Sequence, residues 1–133
     1  MQNKMKQIFS PGSKRTFTKI VGQADIATFD SGTVHEVYAT FAIARDAEWA
    51  GRLFVLEMKD EDEEGIGISV LVDHHSPALV GEEVVFEAVI DELYRNVVGC
   101  TFTAYVGPRL IASGRTGQKI LKKDKLDLIF DLQ

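Results

Sequence analysis

From Thr40 to about Lys59 the apolar positions of this 133-residue chain recur every three to four residues, which predicts one long helix. On a wheel of about 100° per residue, Ala50, Ile43, Phe54, Ala47, Met58, Gly51, Ala44 and Val55 fall on one continuous arc. Three alanines and a glycine near the middle of that arc make it shallow, so the backbone can press closely on a curved sheet. Trp49, Leu53 and Leu56 lie elsewhere on the circumference, which predicts a helix covered on more than one side. The pattern then changes. Residues 66–74 are nearly all apolar until Asp73-His74. In 82–93, Val84, Phe86, Ala88 and Ile90 alternate with Glu83, Val85, Glu87, Val89 and Asp91. In 97–106, Phe102, Ala104 and Val106 share a face. Gly107-Pro108 turns the chain into a last strand, 109–122.

Ahead of the helix, residues 16–22 alternate well enough for a first strand, and Asp30-Ser31-Gly32 marks a turn within an otherwise unassigned stretch, 23–38. Residues 1–15 read as an arm broken at Pro11-Gly12, and K-D-E-D-E-E-G (59–65) as a solvated acidic loop. In the last ten residues, 124–133, Leu126, Leu128, Phe130 and Leu132 alternate, so this extension is an added strand or a partner-binding tail. Strand, helix and then long antiparallel strands make a single α+β domain, 1–133, with one buried helix. Such a sheet leaves a broad face at its edge, which favours dimerisation.

Composition removes several function classes. A formal charge of −5 and a pI near 5.2 argue against non-specific nucleic-acid binding, which needs a basic face. The lone cysteine, Cys100, lies in an apolar run, so there is no disulfide framework and no CxxC metal site, and a reduced cytoplasmic setting fits. The N-terminus lacks the apolar core of a signal peptide, and no segment has the length of a membrane span.

The candidate chemistry is a hydroxyl, a carboxylate and an imidazole: Thr40, Glu48 and His74. Together such groups suffice to hydrolyse an activated acyl group. Each also has an ordinary explanation. Thr40 is placed to be a helix N-cap; its other role is to attack a thioester or orient a water, beside N–H groups able to polarise a carbonyl. Glu48 can pair with Arg45 or Arg52 on the helix surface; held partly out of water, it can instead serve as a general base. His74 ends a strand, as many half-exposed histidines do, and is also a natural proton carrier. Eight helical residues span about 12 Å, so Thr40 and Glu48 do not touch; a substrate, His74 or a second subunit must lie between them if they cooperate. His74 and His75 point to opposite faces of a strand and make poor joint ligands, so no metal is assigned. Arg109, Arg115, Lys119, Lys122, Lys123 and Lys125 give the C-terminal third a basic bias: a solvated face, or a landing site for the phosphates of an anionic carrier.

T-F-A-I-A-R-D-A-E-W-A (40–50), with Thr40 eight residues before Glu48-Trp49-Ala50, resembles the central helix of the hotdog-fold thioesterases, within them the fluoroacetyl-CoA thioesterase-like group. G-I-G-I-S-V-L-V-D-H (65–74) resembles that group's next strand, with Gly67 seven residues before His74 and Gly81 seven after it. I-A-S-G (111–114) is similar to its last strand. The likeness covers roughly 14–122. It implies an antiparallel sheet wrapped around a long central helix, a homodimer (which in this fold often pairs again into a tetramer) with active sites between subunits, and hydrolysis of a small or medium acyl-CoA or acyl-carrier thioester. No cofactor is implied beyond the coenzyme A of the substrate. By this resemblance Thr40 attacks or positions water, Glu48 is base or polariser, His74 handles the proton, and Gly67 allows close approach of the thioester. Phe29, Phe41, Arg115 and Lys119 are candidate substrate contacts; the group's aromatic gate for fluoroacetate does not carry over, with only Phe29 near its place, so that substrate is not assigned. Where the family often has an arginine after the last-strand glycine, this chain has Gln118.

Two other readings stand beside hydrolysis. One is a non-catalytic hotdog dimer that binds an acyl-CoA or lipid-like ligand, with Thr40 only a cap and Glu48 only an ion pair. The other, enoyl-CoA hydration, usually needs an Asp-x4-His pair that the relevant segment lacks.

Overall fold

A computed structural model describes residues 6–131. The long helix, α1 (Thr40–Met58), crosses a five-stranded antiparallel sheet and touches every strand of it. The sheet order is β1 (Lys14–Ile20), β5 (Glu83–Tyr94), β6 (Val97–Val106), β7 (Arg109–Lys122) and β4 (Glu63–His74). The short strands β2 (Ile26–Phe29) and β3 (Gly32–Tyr38) form a separate hairpin that leads into α1, turning at Asp30-Ser31.

The small-residue arc explains the packing. Ala42, Ile43, Ala47, Ala50, Phe54 and Val55 are buried against Phe86, Ala88, Ile90, Cys100, Phe102, Ala104 and Ile120. Each large apolar side chain enclosed here contributes about 1.5–3 kcal/mol relative to exposure. Gly51 sits where the helix presses on the sheet: a methyl there would come within 2.8 Å of Thr116 Oγ1. The opposite flank of α1 is not covered within one chain, because the sheet has only one concave face. Trp49 and Leu56 remain exposed, contrary to the expectation of a helix wrapped on several sides.

Three other segments differ from the sequence reading. The arm is docked from residue 6 onward: Lys6 N–H donates to Met58 O, Phe9 packs edge-on against Phe54 at 5.1 Å, and Lys14 and Arg15 already belong to β1; residues 1–5 lie outside the described residues. The acidic loop ends early. Glu63 opens β4 fully buried, its Oε1 accepting the Asp60 N–H, so the charge run contains one enclosed carboxylate. The C-terminal extension is a helix, α2 (Lys123–Asp131), rather than a strand. Its alternating leucines misled because only Leu126 is buried, against β7, while Leu128 and Phe130 face outward; Leu132 lies outside the described residues.

Candidate functional site

The N-terminus of α1 is held by a charged cluster that the sequence reading missed. Asp25, in a single 3₁₀ turn (Gln23–Asp25), and Asp46 on α1 are both buried, and the Arg45 guanidinium bridges them at 2.7 and 2.9 Å. Lys19 Nζ lies 3.2 Å from Asp25, and the Tyr38 hydroxyl donates to Asp46. Burial, reinforced by Asp46, pushes the Tyr38 phenol far above its ordinary range. The Arg45 guanidinium is held charged by its hydrogen bonds to Asp46 and Asp25. Asp46 had one visible signal: it lies between Ala42 and Ala50 on the same side of the helix, where alanines leave a charge little solvent.

This cluster sets the helix start. Ala39, not Thr40, is the N-cap; its N–H donates to Asp25 O, and no side chain caps the first turn. The Thr40 hydroxyl is therefore not a cap. It shares a 3.0 Å hydrogen bond with His74 Nδ1, at the far end of β4. The surface ion pair considered for Glu48 is absent among the described residues, because Arg45 is engaged by the aspartates and Arg52 by Glu64 and Gly65 O. Instead the Glu48 carboxylate sits over Gly67, where a methyl would come within 2.5 Å of Oε1.

A β-bulge makes this arrangement possible. Gly67 and His74 are seven residues apart, so strict alternation would send them to opposite faces of β4. The pairing with β7 slips between Gly67 (opposite Gln118) and Ser69 (opposite Gly117), which leaves Ile68 as an extra residue. After the slip Val72 packs on the core and His74 reaches Thr40, while Gly67 faces Glu48. β4 thus runs along one flank of α1 and presents its glycine to Glu48 and its histidine to Thr40.

The remaining candidates divide. Phe29 and Phe41 meet edge-on at 5.8 Å beside Thr40, both half-exposed. Arg115 and Lys119 are not brought to this seam. They occupy odd positions of β7, whose even positions, Ala112, Thr116, Gln118 and Ile120, are buried toward α1. Arg115 is tied to Asp91 on the outer side of the sheet. The open hollow lined by Asp60, Asp62, Lys122, Lys125 and Leu128 contains none of Thr40, Glu48, Gly67, His74, Phe29, Phe41, Arg115 or Lys119. No group of three or more His, Cys, Asp or Glu residues able to hold a metal ion occurs among the described residues.

A sheet packed around one long helix, with hydroxyl, imidazole and carboxylate along the seam between the helix and the edge strand, defines a hotdog-fold protein of the thioesterase class. Comparison with known proteins gives the family. The family model described as fluoroacetyl-CoA-specific thioesterase (FlK) matches residues 21–124. The chain is 34% identical to a Thermus thermophilus hypothetical protein described as a thioesterase superfamily member, over 95% of this chain and 93% of that one, with a TM-score of 0.90. It is similar in fold to the fluoroacetyl-CoA thioesterase FlK (18% identity, 94% and 97% coverage, TM-score 0.87). It is also similar to a hot-dog-like protein from Thermanaerovibrio acidaminovorans (20% identity, 92% and 90% coverage, TM-score 0.83). No curated protein matches it. The chain belongs to the fluoroacetyl-CoA-specific thioesterase family and is a thioester hydrolase.

Proposed function

We propose that the protein hydrolyses a small or medium acyl-CoA thioester as a homodimer, with Thr40, Glu48 and His74 as its catalytic residues. The observation that carries this reading is the hydrogen bond between Thr40 Oγ1 and His74 Nδ1, made by a threonine that caps nothing. An imidazole bonded to a hydroxyl can take its proton as that hydroxyl, or a water held in its place, attacks the thioester carbonyl. The first-turn N–H groups of α1, which no side chain caps, can donate hydrogen bonds to the developing oxyanion. The proton on His74 then passes to the departing thiolate of coenzyme A. Glu48, on its bare glycine seat, orients or deprotonates the hydrolytic water. Phe29 and Phe41 flank the acyl group. Coenzyme A as carrier is supported by a relative: a variant of FlK has been solved with fluoroacetate and CoA. A cytoplasmic setting fits the buried free thiol of Cys100.

The dimer reading rests on β4. It is the terminal strand of the sheet, twelve residues long, and Ile68 and Leu71 on it are 48% and 56% exposed. A long apolar edge is a liability unless covered, and a second β4 covers it with matching polarity. Ala44 is midway between Thr40 and Glu48, and residues 70 and 71 are midway between Gly67 and His74. A two-fold axis at that point sets Thr40 and His74 of one subunit opposite Glu48 and Gly67 of the other, across the roughly 12 Å that separate them within a chain.

The test is thiol release from a panel of acyl-CoAs by the wild type, Glu48→Ala and His74→Ala. A loss in kcat of roughly a hundredfold or more in each variant is expected. Wild-type turnover in both would remove the assignment.

A further inference from the structure

We propose that Gln118 is a positioning residue that holds Glu48 in its working place; this rests on the reading of Glu48 given above. Gln118 is a polar side chain only 2% exposed, beneath α1. Its amide Nε2–H donates to the main-chain oxygen of Glu48 at 3.1 Å. That carbonyl lies in the middle of an unbroken helix, where the N–H four residues on already satisfies it. The bond from Gln118 uses the second lone pair. Its effect is to tie this turn of the helix to the sheet.

The tie is local to the candidate base. Gln118 is the register partner of Gly67, and Gly67 is the surface on which the Glu48 carboxylate rests. One rung of the β4–β7 ladder therefore holds Glu48 twice, by its main chain through Gln118 and by its side chain over Gly67. The bulge at Ile68 follows immediately. Gly51 keeps the helix low enough for the amide to reach: a methyl there would lie 3.3 Å from Gln118 Nε2. Since Glu48 has no ion pair among the described residues, the rotation and height of its helical turn set where the carboxylate points.

The test uses Gln118→Leu, which keeps the volume and removes the donor, and Gln118→Met as a more accommodating version. Each is made in the wild type and in Glu48→Ala, with kcat, KM and thermal midpoint measured. The expected result is a fall in kcat of about tenfold to a hundredfold from a displaced catalytic group, with KM within about twofold. In the Glu48→Ala background the same substitutions produce no further loss, because nothing is left to position. Gln118→Glu adds a second readout: its introduced carboxyl donates only while protonated, so kcat relative to wild type falls as pH rises. A folded Gln118→Leu or Gln118→Met variant with wild-type kcat, alongside an impaired Glu48→Ala, would overturn this proposal alone. So would losses that multiply in the double variants. Wild-type turnover in Glu48→Ala would overturn both this proposal and the role of Glu48.

Discussion

Thr40 Oγ1 and His74 Nδ1, 34 residues apart in the chain, share a 3.0 Å hydrogen bond at the start of α1. The helix is capped one residue earlier, by Ala39, whose own N–H is taken by Asp25 O. The threonine is thereby released from structural duty. Thr40→Ala is expected to leave stability within about 0.5 kcal/mol, as for a surface change, rather than the roughly 1 kcal/mol lost with a true cap. Its kcat should fall about a hundredfold, while Thr40→Ser, which keeps the hydroxyl, retains most of the activity. Thermal melts and steady-state kinetics on the two variants check both halves.

Gly67→Ala separates activity from folding. The added methyl meets the Glu48 carboxylate, the far end of a flexible side chain that can swing away. Stability should stay near wild type and kcat should drop by about tenfold or more as the carboxylate is displaced. Gly114→Ala is the contrast: its methyl would run into the Leu71 backbone oxygen, so the β4–β7 pairing must shift and the thermal midpoint should fall sharply. A comparable stability loss in Gly67→Ala would contradict the contact described.

Mixing two inactive variants tests whether subunits share a site. If Glu48 of one subunit serves Thr40 and His74 of the other, a Glu48→Ala/His74→Ala heterodimer holds one doubly defective site and one intact site. Random re-association of equal amounts should then restore about a quarter of wild-type activity. If each site were built within one chain, every site in the mixture would stay defective and no activity would return.

Acid should loosen the helix start through Asp25. Burial pushes its carboxyl up, but hydrogen bonds from Arg45, Gly22 and Lys19 outweigh this and hold it below the ordinary 3.8. With the folded value below the unfolded one, the unfolded chain takes up the proton first as pH falls. The stabilisation is complete above the unfolded value and disappears as pH drops through the folded one. Asp25→Asn should cost about 1–3 kcal/mol near neutrality, as for other lost hydrogen bonds to charged groups. The gap from wild type should close in strong acid. Denaturant melts across that range measure it.

Cys100 reports on opening of the core. Burial, with a contribution from Asp91, pushes its thiol up to about 12, so little thiolate exists in the folded state. At about pH 8 a maleimide should label it at the rate of unfolding rather than at the rate of a free thiol. Labelling that is fast and proportional to reagent in the native protein would show that the thiol is accessible.

Much of the fold was legible because it depends on local periodicity. Alternation in 82–93 and 97–106 and the helical arc from Ala50 to Val55 need no knowledge of partners, and they became β5, β6 and α1 with boundaries shifted by a residue or so. Where periodicity was ambiguous, the reading was weaker. The hairpin of β2 and β3 is short and mostly exposed, so it lacks an alternating face. The extension at 124–133 alternated like a strand, yet it forms a helix that buries only Leu126.

By itself the sequence determined the long helix and the main strands, and the close approach of an alanine-rich helix, and it offered the three residue types of the candidate site, since these follow from the size, polarity and spacing of neighbours in the chain. Tertiary structure decided which atoms meet. One extra residue at Ile68 turns Gly67 and His74 to the same side. A main-chain oxygen at Asp25 takes the N–H of the capping residue and leaves Thr40 free for the imidazole. Claims on Arg45 and Arg52 from other carboxylates leave Glu48 unpaired among the described residues. Each of these outcomes is a competition between partners distant in the chain, and only the folded arrangement sets the distances that decide it.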